Sequence, residues 1–262
     1  MLLITALIMC QALPVICASE EAVPAPAELL QQIERSWNPL RIAMVAELTV
    51  EQRDRAPGTF RILLRRDGPE RVRVDFLAPV KDEGKVMLLA DGKTWLYLPR
   101  ADRLVAVSPR QSPLAGMMFS DLFPGELDRY DAVSRLTNGF WELQLTPKKS
   151  EKAAPARIFF DPETRLPLRR EVLTPSGTPL KTIIIQEMMP WQNTVIPKQM
   201  KVIDRLRGGM ETTVAIVSAE PLAPGAEVLF TKESLGQSTD QADPAAAAVM
   251  EESVDDPSET GE

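Results

Sequence analysis

The sequence predicts a mainly β fold. One long antiparallel sheet of about 11–12 strands curls on itself, with one N-terminal helix and a short helical interruption mid-chain. Three observations lead there. From Arg41 onward apolar residues recur with a period of two; Val72, Val74 and Phe76 alternate with Arg71, Arg73 and Asp75, as in a half-buried strand with one wet face. Turn signals recur at short intervals, which marks a meander of consecutive hairpins. No repeat and no linker divides residues 24–236. An antiparallel sheet of this length must curl to bury its apolar face, and helices then cover the inside of the curl.

Taken in order, residues 23–27 (VPAPA) form a stiff lead-in. Residues 27–36 place Leu29, Leu30 and Ile33 at helical spacing, with Glu28 in the first turn and Arg35 in the last, the arrangement the helix dipole favours. Trp37-Asn38-Pro39 ends the helix. Strands are predicted over 41–52, 59–66, 71–77, 85–90, 93–98 and 103–107. They are separated by Ala56-Pro57-Gly58, Asp67-Gly68-Pro69, Asp82-Glu83-Gly84, Asp91-Gly92 and Pro99-Arg100-Ala101-Asp102. Asp91-Gly92 between two apolar runs is a strong hairpin signal. Residues 112–129 (SPLAGMMFSDLFPGELDR) break the period, with helical character around Met117–Leu122.

A second meander is predicted over 139–146, 156–161, 167–174, 180–188, 194–204 and 210–219. Ile183-Ile184-Ile185 is a continuous apolar run, predicting a strand covered on both faces. Residues 226–235 close the folded part with a short apolar turn. The segment 237–262 carries eight acidic residues and no base, a composition that predicts a disordered acidic tail.

Charge and composition exclude several classes of function. The net charge is −7, with no histidine. Histidine-based catalytic triads and metal sites are therefore excluded. Without the acidic tail the remainder is close to neutral, so no nucleic-acid footprint is expected. Residues 2–17 are apolar apart from Thr5 and Gln11, and Gln11 and Pro14 interrupt them too early for a comfortable membrane span. They are read as a signal peptide, residues 1–18, cleaved near Ala18. No Lys or Arg precedes the apolar core, which leaves open a start upstream of Met1. Both cysteines, Cys10 and Cys17, lie inside this segment, so the mature chain is expected to lack disulfides and thiolate chemistry. Met9 and Ile16 precede them, not the small residue that a lipidated cysteine requires.

Residues 71–107 (RVRVDFLAPVKDEGKVMLLADGKTWLYLPRADRLVAV) carry a specific resemblance. A strand ending in an Ala-Pro bend is followed by a strand, an Asp-Gly hairpin, a Trp-Leu-Tyr-Leu-Pro strand and another short strand. This pattern resembles the LolA/LolB-like periplasmic lipoprotein carriers, and most closely the longer "outer membrane lipoprotein-sorting protein" relatives. Phe119-Ser120-Asp121 and Leu229-Phe230-Thr231-Lys232 resemble later segments of those relatives. The resemblance implies an incomplete antiparallel β-barrel, closed on one side by short α-helices, over a single lipid-binding domain spanning 19–236. It also implies an apolar cavity for lipoprotein acyl chains and an arginine that latches a helical lid. Arg65 and Arg66 are the nearest equivalents of that latch, although Asp67-Gly68 follows them where the carriers have proline.

Candidate ligand-binding residues of the cavity are Met87, Leu89, Trp95, Tyr97, Leu114, Met117, Met118, Phe119 and Leu122. Met repacks easily around variable apolar partners, although the same residues also serve as ordinary core filling. Trp95 and Tyr97 share one strand face, and either sheet packing or cavity lining would use them. Arg61, Arg65 and Arg66 fit a solvated strand face equally well. Asp75, Glu83, Asp91 and Asp121 sit at turns, where turn chemistry accounts for them.

The function expected is a periplasmic, chaperone-like carrier of lipoproteins or other lipids toward the outer membrane. It would be no enzyme, would need no cofactor or metal, and would act as a monomer. Its partners would be lipid or lipoprotein acyl chains, with an inner-membrane transporter and an outer-membrane acceptor as further candidates. Each CH₂ of an acyl chain exposed to water costs about 0.8 kcal/mol, and a matching apolar cavity removes that cost reversibly. Such a cavity needs a movable cover, and 112–129 is the candidate. The alternative is an envelope sensor, or an accessory of a lipid-exporting pump, that binds without transport; the longer relatives often lie beside such pumps. A cofactor-independent, pigment-biosynthetic member of the fold offers an enzyme reading, which the export signal disfavours.

Overall fold

The computed structural model describes residues 22–53, 55–107, 117–149, 151 and 153–236. The expected signal peptide 1–18, Leu114 and the acidic tail 237–262 lie outside them. Helix α1 (Pro26–Ser36) starts on a proline, whose fixed φ and missing N–H suit the first turn. Its buried side is Leu29, Ile33 and Ser36. The first meander then runs β1 (Arg41–Glu51), β2 (Gly58–Asp67), β3 (Val72–Ala78), β4 (Val86–Ala90), β5 (Lys93–Leu98) and β6 (Arg103–Val107). A short helix, α2 (Phe119–Leu122), precedes the second meander. That meander comprises β7 (Tyr130–Thr137), β8 (Phe140–Pro147), β9 (Ala156–Phe160), β10 (Pro167–Leu173), β11 (Pro179–Trp191), β12 (Thr194–Asp204) and β13 (Met210–Pro221).

All 13 strands form one sheet in the order β6-β5-β4-β3-β2-β1-β13-β12-β11-β10-β9-β8-β7. Each pair is antiparallel. The two meanders join where β1 meets β13, with Leu48 opposite Val214. The outer strands β6 and β7 do not pair with each other, so the sheet is an open barrel, as expected. The strand missed by sequence reading is β7. The Asn138-Gly139 turn, with φ of 51° and 81°, joins it to β8, and such a dipeptide requires a strand on both sides. Its alternation is weak because Asp131, Val133, Arg135 and Leu136 are all exposed.

One side chain row of each strand points to the concave face. The main core contains Ile42, Met44, Ala46 and Leu48 of β1, Ile62 and Leu64 of β2, Val72, Val74 and Phe76 of β3, and corresponding rows of β8 to β13. Leu29, Ile33 and Trp37 enter the same core, so α1 fills the inside of the curl, where it lies against β7, β10 and β12. Full coverage of β11 on both faces is not found: Ile183 and Ile185 are buried, but Ile184 is only half-buried. Over the first meander the opposite, convex face is covered as well. There two 3₁₀ turns, Ala226–Phe230 and Lys232–Ser234, lay Leu229, Phe230 and Leu235 over Leu88, Ala90 and Trp95.

Candidate functional site

The concave face carries the main apolar core, and its cover is short. Residues 117–127 cross it. Met117, Leu122, Phe123 and Leu127 join the main core, and Phe119 packs against it while half-buried. The helix within this segment has four residues, too few to be stable by itself. Its first turn is closed by Asp121, whose Oδ2 accepts from the Met118 N–H at 2.8 Å.

The remaining contacts come from the barrel. Trp37 Nε1 donates to the Leu122 carbonyl at 2.9 Å, and Asn38 Nδ2 to the Gly125 carbonyl at 3.1 Å. Arg170 of β10 donates to the Ser120 carbonyl at 2.6 Å. Lys181 of β11 bonds Asp121 Oδ2 at 2.7 Å and reaches Asp204 Oδ2 at 3.4 Å. Arg66 lies 4.5 Å from the Phe123 ring centre, a cation–π contact. The cover is thus tied to both meanders by side chain groups.

These polar groups are deeply buried. Asp121 is 1% exposed, Asp204 3%, Lys181 5% and Arg170 6%. Burial lowers the Arg170 pKa, which nearby Tyr130 and Asp121 partly offset. Burial likewise brings Arg66 down to about 10, against the attraction of Glu34, so it stays charged at neutral pH. Arg66 also donates to the carbonyls of Pro39 and Gly68, at 2.9 and 3.0 Å. The Nε of Arg170 is buried without a hydrogen-bond partner among the described residues. Beside Leu122 and Phe123 remains a small apolar cavity of about 20 Å³, bounded by Trp37, Met44, Ile196 and Met200. That volume holds about one water-sized group.

The predicted residues divide between the two faces. Met87 is buried in the concave core and Leu89 packs against it. Met117, Phe119 and Leu122 belong to the cover, and Met118 is half-buried beside them. Trp95 and Tyr97 fall on the convex face, because Trp95 pairs with Leu88 while Met87 pairs with Leu96. There Trp95 packs under Leu229 and Leu235, with the Lys232 ammonium 4.6 Å from its ring centre. A Cβ on Gly236 would come within 3.0 Å of the Tyr97 ring. The two latch candidates also part: Arg65 is fully buried on the convex face against Asp75 at 2.6 Å, whereas Arg66 faces the cover. The convex position of Trp95, Tyr97 and Arg65 follows from the period of two, which puts alternate residues on opposite faces.

Sequence reading missed Trp37, Asn38, Phe123, Arg170, Lys181 and Asp204, and took Asp121 for a turn residue. One signal was present. Lys181, Ile183 and Ile185 share the inward row of β11, so the lysine interrupts an apolar row. Among the described residues no group of three or more acidic or thiol side chains could hold a metal ion.

A family model described as "Uncharacterized protein" matches residues 68–237. The chain belongs to that family. Its fold is that of the LolA superfamily. A LolA superfamily protein from Nitrosomonas europaea superposes with a TM-score of 0.67 at 17% identity, covering 81% of this chain and 100% of that one. A putative outer membrane lipoprotein-sorting protein domain from Vibrio parahaemolyticus gives 0.65 at 17% identity, covering 81% and 98%. A DUF1329 family protein from Desulfovibrio piger gives 0.62 at 18% identity, covering 80% and 95%. Among curated proteins, none matches the chain.

Proposed function

We propose that the protein is an exported, periplasmic, non-enzymatic carrier that takes the acyl chains of lipids or lipoproteins onto its concave face and moves them toward the outer membrane. The observation that carries this reading is the cover. Beside α1, the apolar sheet face is closed by a four-residue helix and its flanks, a single turn where a sealed core would use a second sheet or a further long helix. The cover is held largely by side-chain bonds to its backbone carbonyls and by one buried ion pair. The fold shared with a lipoprotein-sorting domain agrees with it. Loading displaces 117–127 and lets acyl chains occupy the place of Leu122 and Phe123. Unloading returns those side chains to the core. An inner-membrane donor and an outer-membrane acceptor would complete the route.

Native mass spectrometry of the protein purified from the cell envelope tests this. Co-purifying diacyl or triacyl species, released when the protein is offered empty vesicles, are expected. A homogeneous apo mass, with no uptake of acyl lipid from vesicles, would overturn the carrier reading.

A further inference from the structure

Arg170 and Lys181 are two cations set into the concave wall, on β10 and β11. What neutralises them is carried in large part by the cover itself. The Arg170 guanidinium donates to the Ser120 carbonyl at 2.6 Å, and the Lys181 ammonium to Asp121 at 2.7 Å. Ser120 and Asp121 are adjacent residues of α2, and Leu122, the next one, lines the apolar cavity. One turn of helix therefore presents a carbonyl and a carboxylate to a cation pair and an apolar side chain to an apolar hole. That is the chemistry of an acidic amphiphile. When the cover leaves, Lys181 keeps, among the described residues, Asp204 at 3.4 Å, and Arg170 loses the Ser120 carbonyl that its Nη1 engages. Its Nε is already buried and unpartnered. Bare cations in an apolar wall are costly, so a neutral acyl chain entering there meets a penalty that an anionic group removes.

We propose that the concave site, read as above as a lipid site, selects amphiphiles bearing an anionic phosphate or carboxylate group, and that Asp121 with the Ser120 carbonyl occupies the headgroup position in the closed state. The headgroup takes up Arg170 and Lys181, and the chain takes the place of Leu122 and Phe123. With its Nη1 released from the Ser120 carbonyl, the Arg170 guanidinium can hold an oxyanion in the two-point manner that suits this group. Asp204 stays on Lys181 in both states and limits the net charge uncovered to about one.

Fluorescent phosphatidic acid and diacylglycerol with identical chains differ only in the phosphate. Full-length protein titrated with vesicles of each should bind the phosphatidic acid about tenfold tighter or more, the size expected of one charge-assisted pair. The double change Lys181→Gln with Asp121→Asn removes the buried pair together and should bring the ratio toward one. Asp121→Asn alone leaves the cations in place and weakens the cover, so both lipids should bind more tightly at an unchanged ratio. Inorganic phosphate at millimolar concentration should not compete. Equal binding of the two lipids by the unaltered protein would overturn the selectivity and leave the carrier reading standing. Binding of neither lipid would overturn the carrier reading itself. Phosphate that binds alone and displaces the lipid would reassign the pair to a free anion.

Discussion

At the scale of single residues, the cover is held by groups whose backbone partners are as specific as any side chain pair. Trp37 combines both kinds of contact: its ring is 1% exposed in the main core, and its Nε1 reaches the Leu122 carbonyl. Trp37→Phe keeps most of the ring volume and removes the donor. It should cost about 1–2 kcal/mol of stability, because the Leu122 carbonyl is left buried and unpaired. Chemical denaturation should record that loss together with tighter binding of an acyl probe, since the cover is loosened. Lost stability with unchanged probe affinity would show that Trp37 supports the fold without holding the cover. Lys181 makes a stricter case. Lys181→Met by itself takes the buried ammonium from two buried carboxylates, Asp121 and Asp204, and should cost about 3–5 kcal/mol at neutral pH. Pairing it with Asp121→Asn should restore much of that loss, measured as a double-mutant cycle.

At the scale of elements, 117–127 and the strands it crosses should behave differently. The strands are tied by ladders, whereas 117–127 contains a single helical turn and relies on contacts from Trp37, Asn38, Arg66, Arg170 and Lys181. Hydrogen exchange should therefore be faster in 117–125 than in β8 to β12, and adding an acyl ligand should accelerate it in 117–125 alone. Uniform protection on ligand addition would place the ligand elsewhere. Phe119 is a half-buried apolar member of the segment. Phe119→Asp should weaken acyl-probe binding while far-UV circular dichroism remains that of an intact sheet, because a carboxylate is costly in an apolar site. Global unfolding by that change would show that Phe119 belongs to a sealed core.

At the scale of the whole molecule, the convex strap is a second cover of a different kind. Arg73, 1% exposed, donates to the Leu229 carbonyl and Ser234 Oγ at 3.2 and 3.1 Å and bonds Asp75 at 2.9 Å. Leu229, Phe230 and Leu235 lie over Leu88 and Ala90. Ending the chain after Gly236 leaves all of these contacts in place and removes a segment of eight acids without a base, so the melting temperature should hardly move. Ending it after Pro221 uncovers Leu88 and Trp95 and strips Arg73 of two acceptors. That truncation should lower the melting temperature by many degrees or abolish folding. N-terminal sequencing of the exported protein should begin near Ser19; a cytosolic chain with Met1 intact would overturn export.

The sequence by itself determined the parts that depend on neighbours along the chain. The period of two and the Asp-Gly and Asn-Gly turns place twelve strands, and the 3.6-residue period with Pro26 places α1. The length of an antiparallel meander forces a curl with a helix inside it. It did not place β7, whose side chains lie exposed at a sheet edge and so leave little alternation. Only the tertiary structure decided which strand face is concave, and it put Trp95, Tyr97 and Arg65 on the outside because register, a property of pairing between strands, sets that choice. It also decided that Asp121 meets Lys181, 60 residues away, and Arg170 meets Ser120. Paired charges far apart in sequence leave no local signature, since each alone looks like an ordinary surface residue. Their partnership exists only once the curl brings β10, β11 and the cover to one place and excludes water from them.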